Sequence, residues 1–319
     1  MLTALTFATA LVVGLMITPV VRGVAHRYGL LDYPGGRKVH QVPVPRLGGV
    51  GMAIAFGIAI GVATLVSPDL GATAVLGPNR ALAILAGVSL LLVVGVIDDI
   101  RGMRAMVKLG LQVVAAAVAW ALGLSVDAVF GPWGVAYLGW LSLPVTVAWI
   151  VGVINAVNLI DGLDGLAAAV VLTVLAAFGV LAATDGVDPT LPIIAATGGA
   201  ALGFLAYNLH PASIIMGDTG SMFLGFVVAA IAISLTQDGL SPVAPWVPMI
   251  ALGVPILDTL WAVVRRTARG EPFFVADRGH IHHQLLRRGL SQRDAMLVLT
   301  AISAALATLA VVVVRIGGG

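Results

Sequence analysis

The sequence predicts an all-α integral membrane protein, a polytopic bundle of about ten transmembrane helices. Three observations predict it. The 319 residues are 60% hydrophobic and only 10% charged, with a mean hydropathy of +1.07, whereas soluble domains carry roughly 25% charged residues. Runs with few or no charges, close to the ~20 residues that cross hydrocarbon, recur along the whole chain. The basic residues gather in alternate connections, the pattern that orients a membrane protein. Cysteine is absent, which removes disulfides, thiolate zinc sites and cysteine nucleophiles.

The runs lie at 3–21, 47–67, 81–97, 108–124, 139–157, 165–183, 190–208, 219–236, 245–265 and 295–314. The first has neither a basic leader nor a small-residue cleavage site and is expected to remain as a span. The stretch 128–160 is too long for one helix, and Gly131-Pro132-Trp133-Gly134 is expected to break it with a short turn or hairpin before the fifth span. One domain, 1–319, is expected, without a soluble module. Ten spans place the loop 22–46, the loop after the third span and the loop after the ninth on one face. These hold fifteen of the seventeen Lys and Arg, leaving Arg80 and Arg315 opposite, so that face is predicted cytoplasmic, with both termini outside. All six histidines and the acidic motifs fall on or near the same face. A carrier is expected to place ionisable groups at midplane instead, so the crowding favours an active site at the cytoplasmic surface.

The densest motif is Asn155–Ala167, reading NAVNLIDGLDGLA, where Asn155, Asn158, Asp161 and Asp164 recur every third residue. On a helix that spacing gathers them toward one face; in a loop they would serve as turn caps. Gly162 and Gly165 allow close backbone approach to a ligand, and the amides and carboxylates suit uracil, ribose hydroxyls or a cation. Asp98-Asp99 closes the third run. Adjacent helical residues point about 100° apart, so one carboxylate is expected to face the site while Lys108 or an arginine holds the other; an ordinary polar helix end is the alternative. Met216–Ser221 opens the eighth run. Asp218 or Ser221 is suited to cap that helix, and Asp218 to hold a metal that bridges phosphates.

The last basic loop contains Arg278-Gly279-His280-Ile281-His282-His283, without zinc-site spacing. Its cations suit phosphate oxygens, whereas Arg287, Arg288 and Arg293 also suit anionic lipid headgroups. Lys38, in a Pro-punctuated loop, is placed either to reach a nucleotide or simply to set topology. Asp258, seven residues before Arg265 in the ninth run, is expected to pair with an arginine or a lysine, with catalysis as the alternative. The fifteen carboxylates include one Glu, Glu271. A hard, oxygen-liking cation is the metal this inventory favours, Mg²⁺ with Mn²⁺ as a substitute.

Taken in order, Asp98-Asp99, NxxNxxDGxDGLA at 155–167, GDxGSxxLGF at 217–226 and HIHH at 280–283 resemble the polyprenyl-phosphate N-acetylhexosamine-1-phosphate transferases, over nearly the whole chain. The stretch DRGHIHHQLLRRGLS looks more like the branch that uses UDP-GlcNAc and undecaprenyl phosphate, for teichoic acid, O-antigen or related cell-envelope glycans. The branch that transfers phospho-MurNAc-pentapeptide typically shows three consecutive histidines, where Gln284 follows His282-His283 here. It also carries an aromatic, thought to stack on uracil, where Ile215 stands. The resemblance implies that Asp218 ligates Mg²⁺ and that Asp98 and Asp99 act on the lipid phosphate or the metal. It further implies that Lys38, Asn155, Asn158, Asp161, Asp164 and Lys108 shape the substrate site, and that Arg278, His280, His282 and His283 contact the diphosphate. The implied partners are UDP-GlcNAc, undecaprenyl phosphate and the lipid bilayer of the bacterial inner membrane, with no nucleic acid and with a homodimer allowed. Another UDP-sugar, such as GalNAc or phospho-MurNAc-pentapeptide, is the alternative substrate; an anion transporter is the distant alternative.

Overall fold

The computed structural model describes residues 1–35, 42–68, 77–131, 134–183, 190–237, 244–271 and 279–317. Helix α1 (Leu2–Arg27) leads through a short antiparallel ladder, β1 (Leu31–Asp32) with β2 (Val44–Pro45), into α2 (Gly48–Val66). Next come α3 (Pro78–Arg101), opened by Pro78 in its first turn and closed by Gly102 at φ 70°, and α4 (Ala105–Ala121). A hairpin of β3 (Ala128–Gly131) and β4 (Gly134–Tyr137) follows, with Gly131 opposite Gly134. This is the break expected inside 128–160. The chain continues through α5 (Ser142–Ile160), α6 (Leu166–Ala182), α7 (Leu191–Asn208) and α8 (Gly217–Gln237). It closes with α9 (Trp246–Ala251), α10 (Gly253–Ala268), α11 (Ile281–Arg287) and α12 (Gln292–Gly317).

The protein is an all-α membrane protein. Among the described residues seven helices are long and apolar enough to cross a bilayer, and α4 and α6 are shorter apolar helices. The ninth run, 245–265, does not form one helix. Pro255 lacks an N–H, and its ring conflicts with the carbonyl four residues earlier; α9 accordingly stops at Ala251 and α10 starts at Gly253.

Burial identifies the middle of the bundle. The apolar stretch of α8 is 94% buried, against 28% in α1 and 22% in α12. Helices α2, α3 and α5 pack around α8. Without a hydrophobic driving force between helices in lipid, such packing depends on close approach and small residues. Gly95 of α3 is the clearest case: a Cβ there would collide with the backbone of Thr219 at the start of α8. That contact brings the end of α3, with Asp98 and Asp99, against the first turn of α8.

Candidate active site

At this junction an open cavity of about 310 Å³ is lined by Asp99 of α3, Asn158 of α5, the turn Asp161–Asp164, and Gly217 and Asp218 of α8, with Asp32, Arg46 and Ile215 beside them. The volume falls within the ~300–1,000 Å³ usual for small-molecule sites.

Asp218 is held from two sides. Its Oδ1 accepts from Lys108 Nζ at 3.1 Å and from Asn158 Nδ2, whose amide also donates to Ser221 Oγ at 2.8 Å. Lys108, in the first turn of α4, donates to Asp98 Oδ2 at 2.8 Å as well, so one ammonium ties α3 to α8. Asp99 points elsewhere, as the 100° offset of neighbours requires. Its Oδ1 accepts from the Asp218 amide at 2.9 Å, and its Oδ2 accepts from the Thr219 amide at 3.1 Å and the Thr219 hydroxyl at 2.6 Å. The first amides of a helix lack partners within it and carry partial positive charge. Here a carboxylate from another helix caps them, where the sequence suggested Asp218 or Ser221.

The acidic turn departs from the helical reading. Helix α5 ends at Ile160, so Asn155 and Asn158 lie on it while Asp161 and Asp164 lie beyond. The four do not share a helix face. Asp164 Oδ2 bonds His210 Nδ1 at 2.8 Å and accepts from the Ala212 amide at 3.1 Å, fastening the turn to the α7–α8 connection. Gly165 starts α6 at φ 76° with its N–H on Asn208 Oδ1 at 3.0 Å. Asn155 sits a turn further in, where its Nδ2 donates to Gln112 Oε1 at 2.7 Å; it clasps α4 to α5 and is not part of the cavity wall.

His282 stands behind that wall. A Cβ on Gly162 would collide with its imidazole, so the small residue makes room for a protein ring as well as bordering the cavity. The His282 ring stacks on His280, 5.8 Å between centroids and 6° between planes, and contacts His283 at 4.3 Å. His280 Nδ1 bonds Asp258 Oδ2 at 2.9 Å, and the Ile281 amide donates to Asp258 Oδ1 at 2.9 Å. Asp258 is thus held by the histidine loop, from outside its own helix, where the sequence suggested an arginine or a lysine. Lys38 and Arg278 lie outside the described residues.

Arg46, which the sequence marked only as a topology charge, borders the cavity. One guanidinium nitrogen bonds the Asp32 carboxylate, and another donates to the Asp99 carbonyl at 3.3 Å. Gln112, Thr219, Asn208 and His210 were also missed. Their signal was weak, because each matters through a partner remote in sequence.

The electrostatics are lopsided. Among the described residues five carboxylates line the cavity with one guanidinium. Burial, then the carboxylates of Asp218, Asp99 and Asp164, push Asp161 up to about 8. Burial and then the neighbouring His283 pull His282 down to about 4. Among the described residues no three His, Asp or Glu side chains form a ready metal cage. An all-oxygen acidic wall short of positive charge fits Mg²⁺, which keeps several waters and needs one or two carboxylates plus substrate phosphates.

Residues 81–236 match glycosyl transferase family 4. The probable undecaprenyl-phosphate N-acetylglucosaminyl 1-phosphate transferase of Bacillus subtilis is 38% identical over 302 residues, 93% of this chain and 80% of that protein. The decaprenyl-phosphate N-acetylglucosaminephosphotransferase of Mycolicibacterium smegmatis is 36% identical over 319 residues, 93% and 78% of the two chains. The chain belongs to glycosyl transferase family 4. A further relative, the undecaprenyl-phosphate alpha-N-acetylglucosaminyl 1-phosphate transferase of Escherichia coli, is 28% identical over 298 residues, 91% and 78% of the two chains. In this family 4 chain the matched segment runs from α3 to α8 and carries Asp98, Asp99, Lys108, Asn158, Asp161, Asp164 and Asp218. Arg46 and the histidine turn lie outside it and complete the surroundings.

Proposed function

We propose that this multi-pass family 4 membrane protein transfers GlcNAc-1-phosphate from UDP-GlcNAc to undecaprenyl phosphate, releasing UMP, the membrane step that opens cell-envelope glycan synthesis. The observation that carries the reading is the convergence of Asp99, Asp161, Asp164 and Asp218, from three separate stretches of sequence, on one polar cavity beside apolar helices. The Bacillus subtilis and Escherichia coli relatives support the sugar and the lipid, and the Mycolicibacterium smegmatis relative supports the sugar. With ten spans, the distribution of Lys and Arg supports a cavity on the cytoplasmic face of a bacterial inner membrane, where UDP-sugars are made available.

In the proposed reaction an oxygen of the lipid phosphate attacks the sugar-bearing phosphorus, the phosphoanhydride of UDP-GlcNAc breaks, and UMP leaves. One phosphoanhydride is lost and one is gained, so positioning and charge neutralisation are the main demands. A phosphate monoester has its second pKa near about 6, so the nucleophile is already mostly dianionic at neutral pH and needs no general base. Direct attack is therefore favoured over a covalent aspartyl intermediate. Lys108 and Asn158 orient Asp218, Asp99 keeps the first turn of α8 in place, and the Asp161–Asp164 turn with Ile215 shapes the nucleotide side. Asp218 would hold Mg²⁺, which when bound neutralises the diphosphate against the acidic wall. Incubating purified protein with UDP-GlcNAc, undecaprenyl phosphate and Mg²⁺ while following UMP tests the reading; folded protein that releases no UMP with any UDP-N-acetylhexosamine overturns it.

A further inference from the structure

Asp258 has no part in the reaction above, yet it is 1% exposed on the protein-facing side of the amphipathic helix α10. A carboxylate there is costly and is retained when partners satisfy it. Both of its oxygens are engaged by the histidine turn, Oδ2 by His280 Nδ1 and Oδ1 by the Ile281 amide, each at 2.9 Å. Seven residues on, at the same helical face, Arg265 packs its guanidinium on Gly279. The turn needs such an anchor, because α11 has only 7 residues and a helix that short does not hold itself.

From the anchored turn a row of contacts leads to the cavity. His280 stacks on His282, and His282 presses on Gly162, between Asp161 and Leu163 in the cavity wall. His280 and His282 are 5% and 3% exposed, so the row is packed protein throughout. We propose that Asp258 is a positioning residue of this site: from inside α10 it fixes the orientation of His280, and through His282 it holds the acidic turn in the shape that receives the nucleotide. A carboxylate on Nδ1 sets both ring orientation and tautomer; at metal-binding histidines losing such a partner typically costs about 10–100-fold, and the same ring orientation is at stake at His280. The activity readout rests on the reaction proposed above; the placement of the turn does not.

The test compares wild type, D258N, H280N and D258N/H280N, each purified into lipid nanodiscs. In the UMP assay D258N is expected to raise KM for UDP-GlcNAc about tenfold or more while leaving KM for undecaprenyl phosphate within about twofold. A mere loss of folded protein would lower kcat and move neither KM. The double variant is expected to be no worse than H280N alone, since Asp258 acts through that ring. An unchanged KM for UDP-GlcNAc in D258N, or losses that multiply in the double variant, overturns the proposal. A second arm needs no turnover: carbethoxylation by diethyl pyrocarbonate, read by mass spectrometry, is expected to be slow at His280 and His282 relative to exposed His26 in wild type, and to approach the His26 rate in D258N. If wild type releases no UMP, the reaction is wrong, while labelling still decides the positioning. If D258N is not recovered folded, wild-type rates decide, with fast labelling of His280 overturning the proposal and slow labelling sustaining it.

Discussion

Asp218 joins three elements at the cavity, receiving Lys108 and Asn158 on one oxygen while its own amide binds Asp99. Asp218→Asn keeps the shape but removes the charge that Lys108 and any cation would meet. Turnover is expected to fall by about 10²–10³ or more, measured as UMP release. Asp127 is the contrasting case. At the far end of α4 it accepts from Ser125 at 2.7 Å and Ser142 at 2.8 Å, so Asp127→Asn is expected to cost about 1 kcal/mol of stability with kcat/KM unchanged. His282 carries a pH prediction. Its folded pKa of about 4 lies below its ordinary 6.5, so the folded state resists protonation. The stability it contributes is present above pH 6.5 and lost as pH falls through about 4, up to roughly 3 kcal/mol. Thermal unfolding of wild type and His282→Gln between pH 7 and 4 should show the wild type losing more; parallel curves would contradict the buried, neutral ring.

At the scale of elements, the site depends on how closely α3 crosses α8. Gly95 permits the approach, and Asp99, one turn later, then reaches the first amides of α8. Gly95→Ala places a methyl against the Thr219 backbone and is expected to destabilise by about 1–3 kcal/mol. Because the same shift pulls Asp99 from its cap, activity should fall with stability; a variant that loses stability but retains full kcat would show that the cap is not needed for turnover. The Asp98-Asp99 pair was legible as a divided pair from helical geometry alone, and Lys108 does hold one member. That the other caps a distant helix was not legible, because Asp99 and Asp218 are 119 positions apart and the chain between them carries no local sign of the contact. The spacing of Asn155, Asn158, Asp161 and Asp164 misled for a local reason: α5 ends at Ile160, where Asp161-Gly162 turn the chain.

For the whole molecule, orientation is the testable property. The chain has no cysteine, so single cysteines report sidedness without background. Tyr137→Cys, at a hairpin residue 84% exposed, is expected to react with a membrane-impermeant maleimide on intact spheroplasts. Arg104→Cys, between α3 and α4 at the cavity end, is expected to react only after permeabilisation. The reverse pattern would put the cavity outside, away from any cytoplasmic UDP-sugar, and would remove the proposed donor. The central position of α8 belongs to this scale too. Hydropathy alone does not separate it from the outer spans, since α1 and α12 are more apolar by mean hydropathy, at 2.2 and 2.6 against 1.9; only packing separates protein-facing from lipid-facing surface.

By itself the sequence determined that this chain lives in a bilayer, where most of its helices run and which polar residues are too costly to be incidental, because hydrocarbon tolerates neither loose backbone nor unpaired charge. Tertiary structure decided which of those residues meet. It assigned Asp99 to the α8 cap, Asn155 to a helix clasp with Gln112, and Asp258 to the histidine turn, and it brought Arg46 to the cavity rim. Those outcomes follow from distances between segments far apart in the chain, which local periodicity and spacing do not encode.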